Sequence, residues 1–327
     1  MGRFLARRTL QAIPVFFAIT ILTFFLINAV PGGPLARLEL DKDIRPEDIA
    51  RIRANMGLDR PPLTRYLIWL GVMRSSRGEY HGLLQGDLGI SYIDQTPVSE
   101  SIRQRLPNTL LLTATSLLIS VAIAIPLGVL SAVKRHSLFD SVATVFSTAG
   151  VSIPSFWFGL MAILVFSVEL GWLPSGGMYT LGKEKDLGDL LTHLMMPALI
   201  LSILDVARWN RYMRGSMLEV IHQDYLRTAR AKGLREKSVI VRHALRNALI
   251  PVATLMGLSL PNLVGGALVT ETIFGWPGMG RLAYHAATKR DYPVIMGVLV
   301  MSAILVLVGN LLADAAYSVL DPRITAE

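Results

Sequence analysis

The sequence predicts an all-α polytopic membrane protein: six transmembrane helices, with a small extracytoplasmic helical insertion between the first and second. Three observations carry that prediction. Of 327 residues, 52% are hydrophobic and 17% charged, too little polar surface for a soluble chain of this length. Apolar runs recur at the length of a membrane helix, which crosses about 30 Å of hydrocarbon with roughly 20 residues. The lysines and arginines behind the net charge of +8 gather between those runs. The absence of cysteine excludes a disulfide framework and any thiolate chemistry.

The first run, Thr9 to Val30, follows Arg3, Arg7 and Arg8. It is longer than the apolar core of a signal peptide, and Pro31 spoils the cleavage point behind Ala29-Val30, so it reads as an uncleaved span. The segment from Pro31 to Leu106 mixes basic and acidic side chains almost evenly. Within it, Pro46-Glu47-Asp48 opens a short helix whose apolar face is Ile49, Ile52 and Met56, and Gly57 closes it. Leu63, Tyr66, Leu67 and Leu70 repeat at i, i+3, i+4 and i+7 behind Pro61-Pro62 and predict a second. Five more spans follow: Thr109 to Val133, Val142 to Val168, Leu194 to Trp209, Ala248 to Phe274 and Val294 to Val319. Gly150, Pro154 and Gly159 in the third are read either as a bend on which the helix rocks or as ordinary membrane-helix composition.

The domain organisation read from this pattern is residues 1–30 for the N-terminus and first span, 31–106 for the external segment, 107–320 for the membrane core, and 321–327 for a tail. The arginines before the first span put the N-terminus in the cytoplasm, and six crossings return the C-terminus there. The loops then predicted to be cytoplasmic carry Lys134, Arg135 and His136, and Arg211, Arg214, Arg227, Arg230, Lys232, Arg235, Lys237, Arg242 and Arg246, against Glu219, Asp224 and Glu236.

Searches for chemistry in the chain return nothing. There is no His-Glu-x-x-His, the histidines at 81, 136, 193, 222, 243 and 285 are scattered, and no Gly-x-Ser-x-Gly occurs. Gly233-Leu-Arg-Glu-Lys237-Ser238 lacks the glycine that a phosphate loop needs before its lysine. No catalytic residue, metal site or cofactor is expected. Nucleic acid is not expected as a partner either, because the positive charge is confined to loops between spans and lacks interleaved aromatics.

The most informative stretch is the block Asp224-Tyr225-Leu226-Arg227-Thr228-Ala229-Arg230-Ala231-Lys232-Gly233, continuing to His243-Ala-Leu245-Arg246-Asn-Ala-Leu-Ile-Pro251. On charge alone it only fixes orientation. Its pattern points further: Ala229 and Gly233, four apart, are expected on one helix face with little bulk, where a partner can approach closely, flanked by Arg227, Arg230 and Arg235. This block resembles the cytoplasmic EAA loop of binding-protein-dependent ABC importer permeases, in particular the B-type dipeptide, oligopeptide and nickel subfamily. Arg227, Thr228 and Ala229 occupy the first triplet of the loop pattern, and Ala229, Gly233 and Leu245 match it. Further support comes from Gly57-Leu-Asp-Arg-Pro, Gly86-Asp-Leu-Gly-Ile-Ser, Pro97-Val-Ser-Glu, Arg105-Leu-Pro-Asn-Thr-Leu and the stretch from Glu271 to Leu282, Glu-Thr-Ile-Phe-Gly-Trp-Pro-Gly-Met-Gly-Arg-Leu.

The resemblance implies the permease core of a type I ABC importer. It implies that residues 211–247 carry a coupling helix seated in a cytoplasmic ATPase, supported by His243, Leu245, Arg246 and Pro251. The implied complex holds a second related permease, two ATPase subunits that bind ATP and Mg, and an extracytoplasmic solute-binding protein. The cargo is a short peptide, with nickel chelates, glutathione and oligosaccharides left open.

Within the spans, Asp205 and Arg208 stand three apart on one face, as a transport-pathway pair or as a packing pair near the cytoplasmic boundary. Asn262, Glu271 and the loop from Phe274 to Gly280 are read as an external gate, or Trp276 as an interfacial anchor. An ion-coupled secondary transporter using Asp205, Arg208 and Glu271 is the alternative from another class.

Overall fold

The computed structural model describes residues 2–31, 33, 35, 45–74, 78–259 and 267–320. Among these there is no strand, and an isolated antiparallel bridge joins Ile90 to Pro97. The helices are α1 Gly2–Ala29, α2 Pro46–Asn55, α3 Pro62–Leu70, α4 Val98–Val133, α5 Leu138–Ser152, α6 Ser155–Ala162, α7 Leu187–Ile221, α8 Asp224–Ala231, α9 Leu245–Ser259, α10 Leu268–Ile273, α11 Met279–Lys289 and α12 Tyr292–Leu320.

Four of them, α1, α4, α7 and α12, are long and apolar enough to cross a membrane. Leu10 and Leu22 of α1 are 66% and 62% exposed, an arrangement that suits hydrocarbon and not water. Helix α4 has 36 residues and so spans about 54 Å, more than a bilayer core needs, which leaves its ends outside. A fifth candidate is broken. The run expected as one span from Val142 to Val168 is α5, then α6 and its π-type continuation Ile163–Glu169, bent by 104°. Pro154 is the cause: it pushes Ile153 into the extended region at ψ 131°, where a helix cannot continue. The two glycines serve packing and not the bend. A Cβ on Gly150 would lie 3.0 Å from Ala207 Cβ on α7, and one on Gly159 would lie 3.4 Å from Ile273 Cγ2 on α10, so both allow close helix approach.

The run from Ala248 to Phe274 is represented by α9 and α10, with 260–266 outside the described residues. The run Leu194 to Trp209 is too short: α7 continues to Ile221 because Asn210, Met213 and Met217 stay buried on one face while Arg211 on the other is exposed. Both short helices expected between residues 31 and 106 form as the spacing predicts. Gly57 closes α2 at φ +65°, its N–H donating to Ala54 O at 3.0 Å and that of Leu58 to Arg53 O at 3.0 Å.

The described residues form two compact units, one within 2–107 with 281–307 and one within 108–280 with 308–320. In the first, Phe24, Tyr66 and Trp69 cluster between α1 and α3, with ring centroids 5.4 Å apart for Phe24 and Tyr66. The Ser91 hydroxyl and the Tyr92 N–H both donate to the Asp291 carboxylate. In the second, α7 is the central element. A Cβ on Gly128 of α4 would meet Met213, Asn210 Nδ2 donates to Ser147 Oγ on α5 at 2.6 Å, and Ser216 Oγ donates to Ala248 O on α9 at 2.9 Å. Arg214 forms a two-point ion pair with Asp140 at 2.6 and 2.8 Å, which is why that arginine does not end the helix.

Candidate functional site: the helix at residues 224–231

Helix α8 is eight residues long, too short to hold itself together in water. It is held by what it sits on. Leu226 is fully buried and Ala229 nearly so, in one apolar cluster with Ala132 of α4, Met213 and Met217 of α7, and Ala248 and Val252 of α9. Val239 and Ala244 complete the cluster from the π-type turn Val239–Ala244 that leads into α9. Because a π turn bonds residues five apart, both reach the same face.

Two polar braces add to this seat. Asn247 Nδ2 donates to the Tyr225 hydroxyl at 2.7 Å. The Arg230 guanidinium donates to both oxygens of Glu236 at 3.1 and 3.0 Å, and its bonds hold the Glu236 carboxyl below the ordinary glutamate range. Gly233 ends the element. At φ +76° its N–H donates to Arg230 O at 2.9 Å while that of Leu234 donates to Ala229 O at 3.4 Å, a left-handed cap that turns the chain back and brings Glu236 beneath Arg230.

This corrects the expected face. Ala229 and Gly233 do not share a small, open surface: Ala229 packs into its own chain, and Gly233 lies beyond the helix, where it is needed for its backbone angle. Spacing by four assumed a helix two residues longer than the one that forms. The outward face is Asp224, Arg227, Thr228, Ala231 and Lys232, with Arg227 77% exposed at its side chain. The supporting residues divide in the same way: Leu245 packs on the apolar cluster, His243 is half-buried, and Arg246 and Pro251 are exposed. Leu226 and Asn247 are missed by the sequence reading, and Arg230, expected as an outward donor, instead pairs with Glu236 across a left-handed cap that follows no helical period.

The other candidates are placed differently from their sequence reading. Glu271 is not at an open gate. It is fully buried, accepts a hydrogen bond from Thr109 Oγ1 at 2.6 Å, and faces Gly278, where any Cβ would overlap the carboxylate. Thr109 Oγ1 in turn accepts from Met279 N–H at 2.7 Å. Trp276 is no interfacial anchor: it is fully buried, its indole N–H donates to Asn108 O at 2.9 Å, and Asn108 Nδ2 donates to Pro277 O at 2.9 Å. Two stretches 162 residues apart in sequence at the Thr109–Glu271 bond, Asn108-Thr109 and Glu271 to Met279, thus form one hydrogen-bonded knot. Asp205 is half-buried and Arg208 exposed, and no hydrogen bond or ion pair joins them, because the buried face of α7 at that level is Val206, Ala207 and Trp209. Asn262 lies outside the described residues.

A short helix is thus locked by its apolar face onto α4, α7 and α9, with a charged face left open. Residues 124–326 match the family described as the binding-protein-dependent transport system inner membrane component, and residues 1–113 match its N-terminal counterpart. The chain belongs to this family of permeases. It is 48% identical over 325 residues, 99% of each chain, to the oligopeptide transport system permease protein AppB of Bacillus subtilis. It is 39% identical over 347 aligned positions, again 99% of each, to the dipeptide transport system permease protein DppB of Escherichia coli. A solved inward-facing structure of the MetNI methionine ABC transporter shares the fold, with TM-score 0.52 at 20% identity over 68% of this chain and 97% of that one. This permease is therefore an integral membrane protein with the type I ABC importer fold. The three loop-pattern positions that it keeps, Ala229, Gly233 and Leu245, are those that build the seat and cap of α8, and the positions where it departs, Arg227 and Thr228, lie on the open face.

Proposed function

We propose that this subunit forms part of the inward path for short peptides in an ATP-driven importer and that α8 transmits the closure of an ATPase subunit to the spanning helices. The carrying observation is the threefold attachment of α8: one buried cluster ties it to α4, α7 and α9 together, so a push on its open face would move all three. Peptide cargo is supported by the names of the relatives, an oligopeptide and a dipeptide permease. In this reading the chain has six spans, both termini in the cytoplasm of a cell whose inner membrane it crosses, and no catalytic residue of its own. A second related permease completes the path, two ATPase subunits bind ATP and Mg, and an extracytoplasmic binding protein delivers the peptide. Asp205, half-buried on α7, faces the path. The ion-coupled alternative loses support from Glu271, whose carboxylate is enclosed within the knot.

The test is reconstitution of the subunit with its three kinds of partner. Peptide uptake that requires ATP, and that falls at least tenfold in Ala231→Trp and Arg227→Glu along with recovery of the ATPase in pull-downs, supports the reading. Uptake that continues without any ATPase subunit, driven by an ion gradient, overturns it. For the path, Asp205→Asn is expected to slow uptake without changing ATPase recovery.

A further inference from the structure

The first unit holds a partly open cavity of about 630 Å³ that the coupling mechanism does not use. Its size falls within the roughly 300–1,000 Å³ of small-molecule sites. One part of the wall is aromatic and apolar, from Phe24 and Met296 at the ends of α1 and α12 and from Trp69 and Tyr92. The polar part carries charge of both signs. Arg65 of α3 is half-buried over the Phe24 ring, 6.0 Å from its centroid, and has no carboxylate partner among the described residues. Burial lowers its pKa from the ordinary arginine value, as for a cation short of solvation, an effect only partly offset by the nearby Tyr92. Glu79 and Asp87 flank one imidazole, with His81 Nε2 3.0 Å from Glu79 and Nδ1 3.9 Å from Asp87, and Arg60 lines the same wall.

Two further groups in this wall lack partners among the described residues. The Trp69 indole N–H and the Tyr292 hydroxyl are buried without a hydrogen bond, and Tyr292 is only 8% exposed. Native interiors seldom leave such groups unsatisfied, so both suit a polar occupant of the cavity. A cation without a counterion, an anionic rim and an aromatic wall complement one class of ligand: a molecule with a carboxylate, an ammonium and apolar side chains between them. A single amino acid would leave most of the volume empty.

We propose that this cavity binds a short zwitterionic peptide on the extracytoplasmic side of the permease, with the peptide carboxylate on Arg65 and its ammonium at Glu79 and Asp87. The proposal deepens the importer reading and rests on its orientation; the cavity would hold cargo, or sense it, before entry to the path. An Arg–carboxylate pair out of bulk water is the strong, forked kind, so removing the guanidinium costs roughly tenfold or more in affinity.

The experiment is equilibrium dialysis of radiolabelled Ala-Phe against the full complex without binding protein, in nanodiscs made from phosphatidylglycerol and again from phosphatidylethanolamine. One saturable site per permease chain is expected, weakened at least tenfold by Arg65→Met and by Asp87→Asn and partly restored by Arg65→Lys. Capped acetyl-Ala-Phe-amide should not compete. Absence of saturable binding, equal binding by Arg65→Met in melting-stable protein, or competition by the capped peptide overturns the site. So does binding seen only without phosphatidylethanolamine, which would assign the cavity to a zwitterionic lipid headgroup. ATP-driven uptake, measured in parallel, separates the two readings. Intact uptake without Ala-Phe binding sinks the cavity alone, and uptake without an ATPase sinks the importer whatever dialysis shows.

Discussion

Helix α8 and the Thr109–Glu271 knot belong to the same unit, and both are polar stretches that stand out against the apolar runs. They use their polar groups in opposite directions. The knot turns a carboxylate, an indole and an amide inward and satisfies them from within the chain, whereas α8 turns leucine and alanine inward and leaves Asp224, Arg227 and Lys232 to solvent. A buried, paired polar group holds a fold; an exposed charged face on a buried apolar seat contributes little to it and stays available for a partner. Sequence alone showed both as conspicuous and could not tell which was which.

Substitutions can break or sharpen this contrast. The largest effect is expected from Glu271→Ala, which strips Thr109 of its acceptor in a closed interior and should cost about 3 kcal/mol, read as a lowered melting temperature of the purified permease. A melt unchanged from the parent would return Glu271 to the list of gate residues. Next come two tryptophans two residues apart. Ala229→Trp forces a ring into the apolar seat and should destabilise by roughly 2–3 kcal/mol, whereas Ala231→Trp should melt like the parent and lose ATPase binding instead. If both behave alike, the assignment of inner and outer faces is wrong.

Gly233→Ala is milder. Space is open around a Cβ there, so only the left-handed backbone angle is penalised, and about 1 kcal/mol with partial loss of coupled uptake is expected. The smallest effect belongs to the Arg230–Glu236 brace. Because the folded pKa of Glu236 is depressed, its contribution is complete above the unfolded glutamate value and is lost as pH falls through the folded one. The pair is largely exposed, so solvent screening keeps this below about 1 kcal/mol, and Glu236→Gln should flatten only the acid limb of a stability–pH curve.

Local rules reached several elements correctly. The caps of α2, the i, i+3, i+4 face of α3 and the long apolar helices α1, α4 and α12 all follow from spacing and turn chemistry. They reached too short on α7, where arginines at 208, 211 and 214 interrupt the apolar run, because one face can stay buried while the other carries charge and Asp140 neutralises the last of them. They reached too far on the third span, where Pro154 turns the chain by 104°.

Taken alone, the sequence determined that the chain is helical, membrane-spanning, free of metal and nucleophile motifs, and marked by one basic block between apolar runs. Those properties depend on composition and on neighbours within a turn or two. The tertiary structure decided that Ala229 faces inward, that Glu271 closes on Thr109 and that α8 is seated on three helices at once. Each of these depends on a contact between residues far apart in sequence, whose energy no local pattern records.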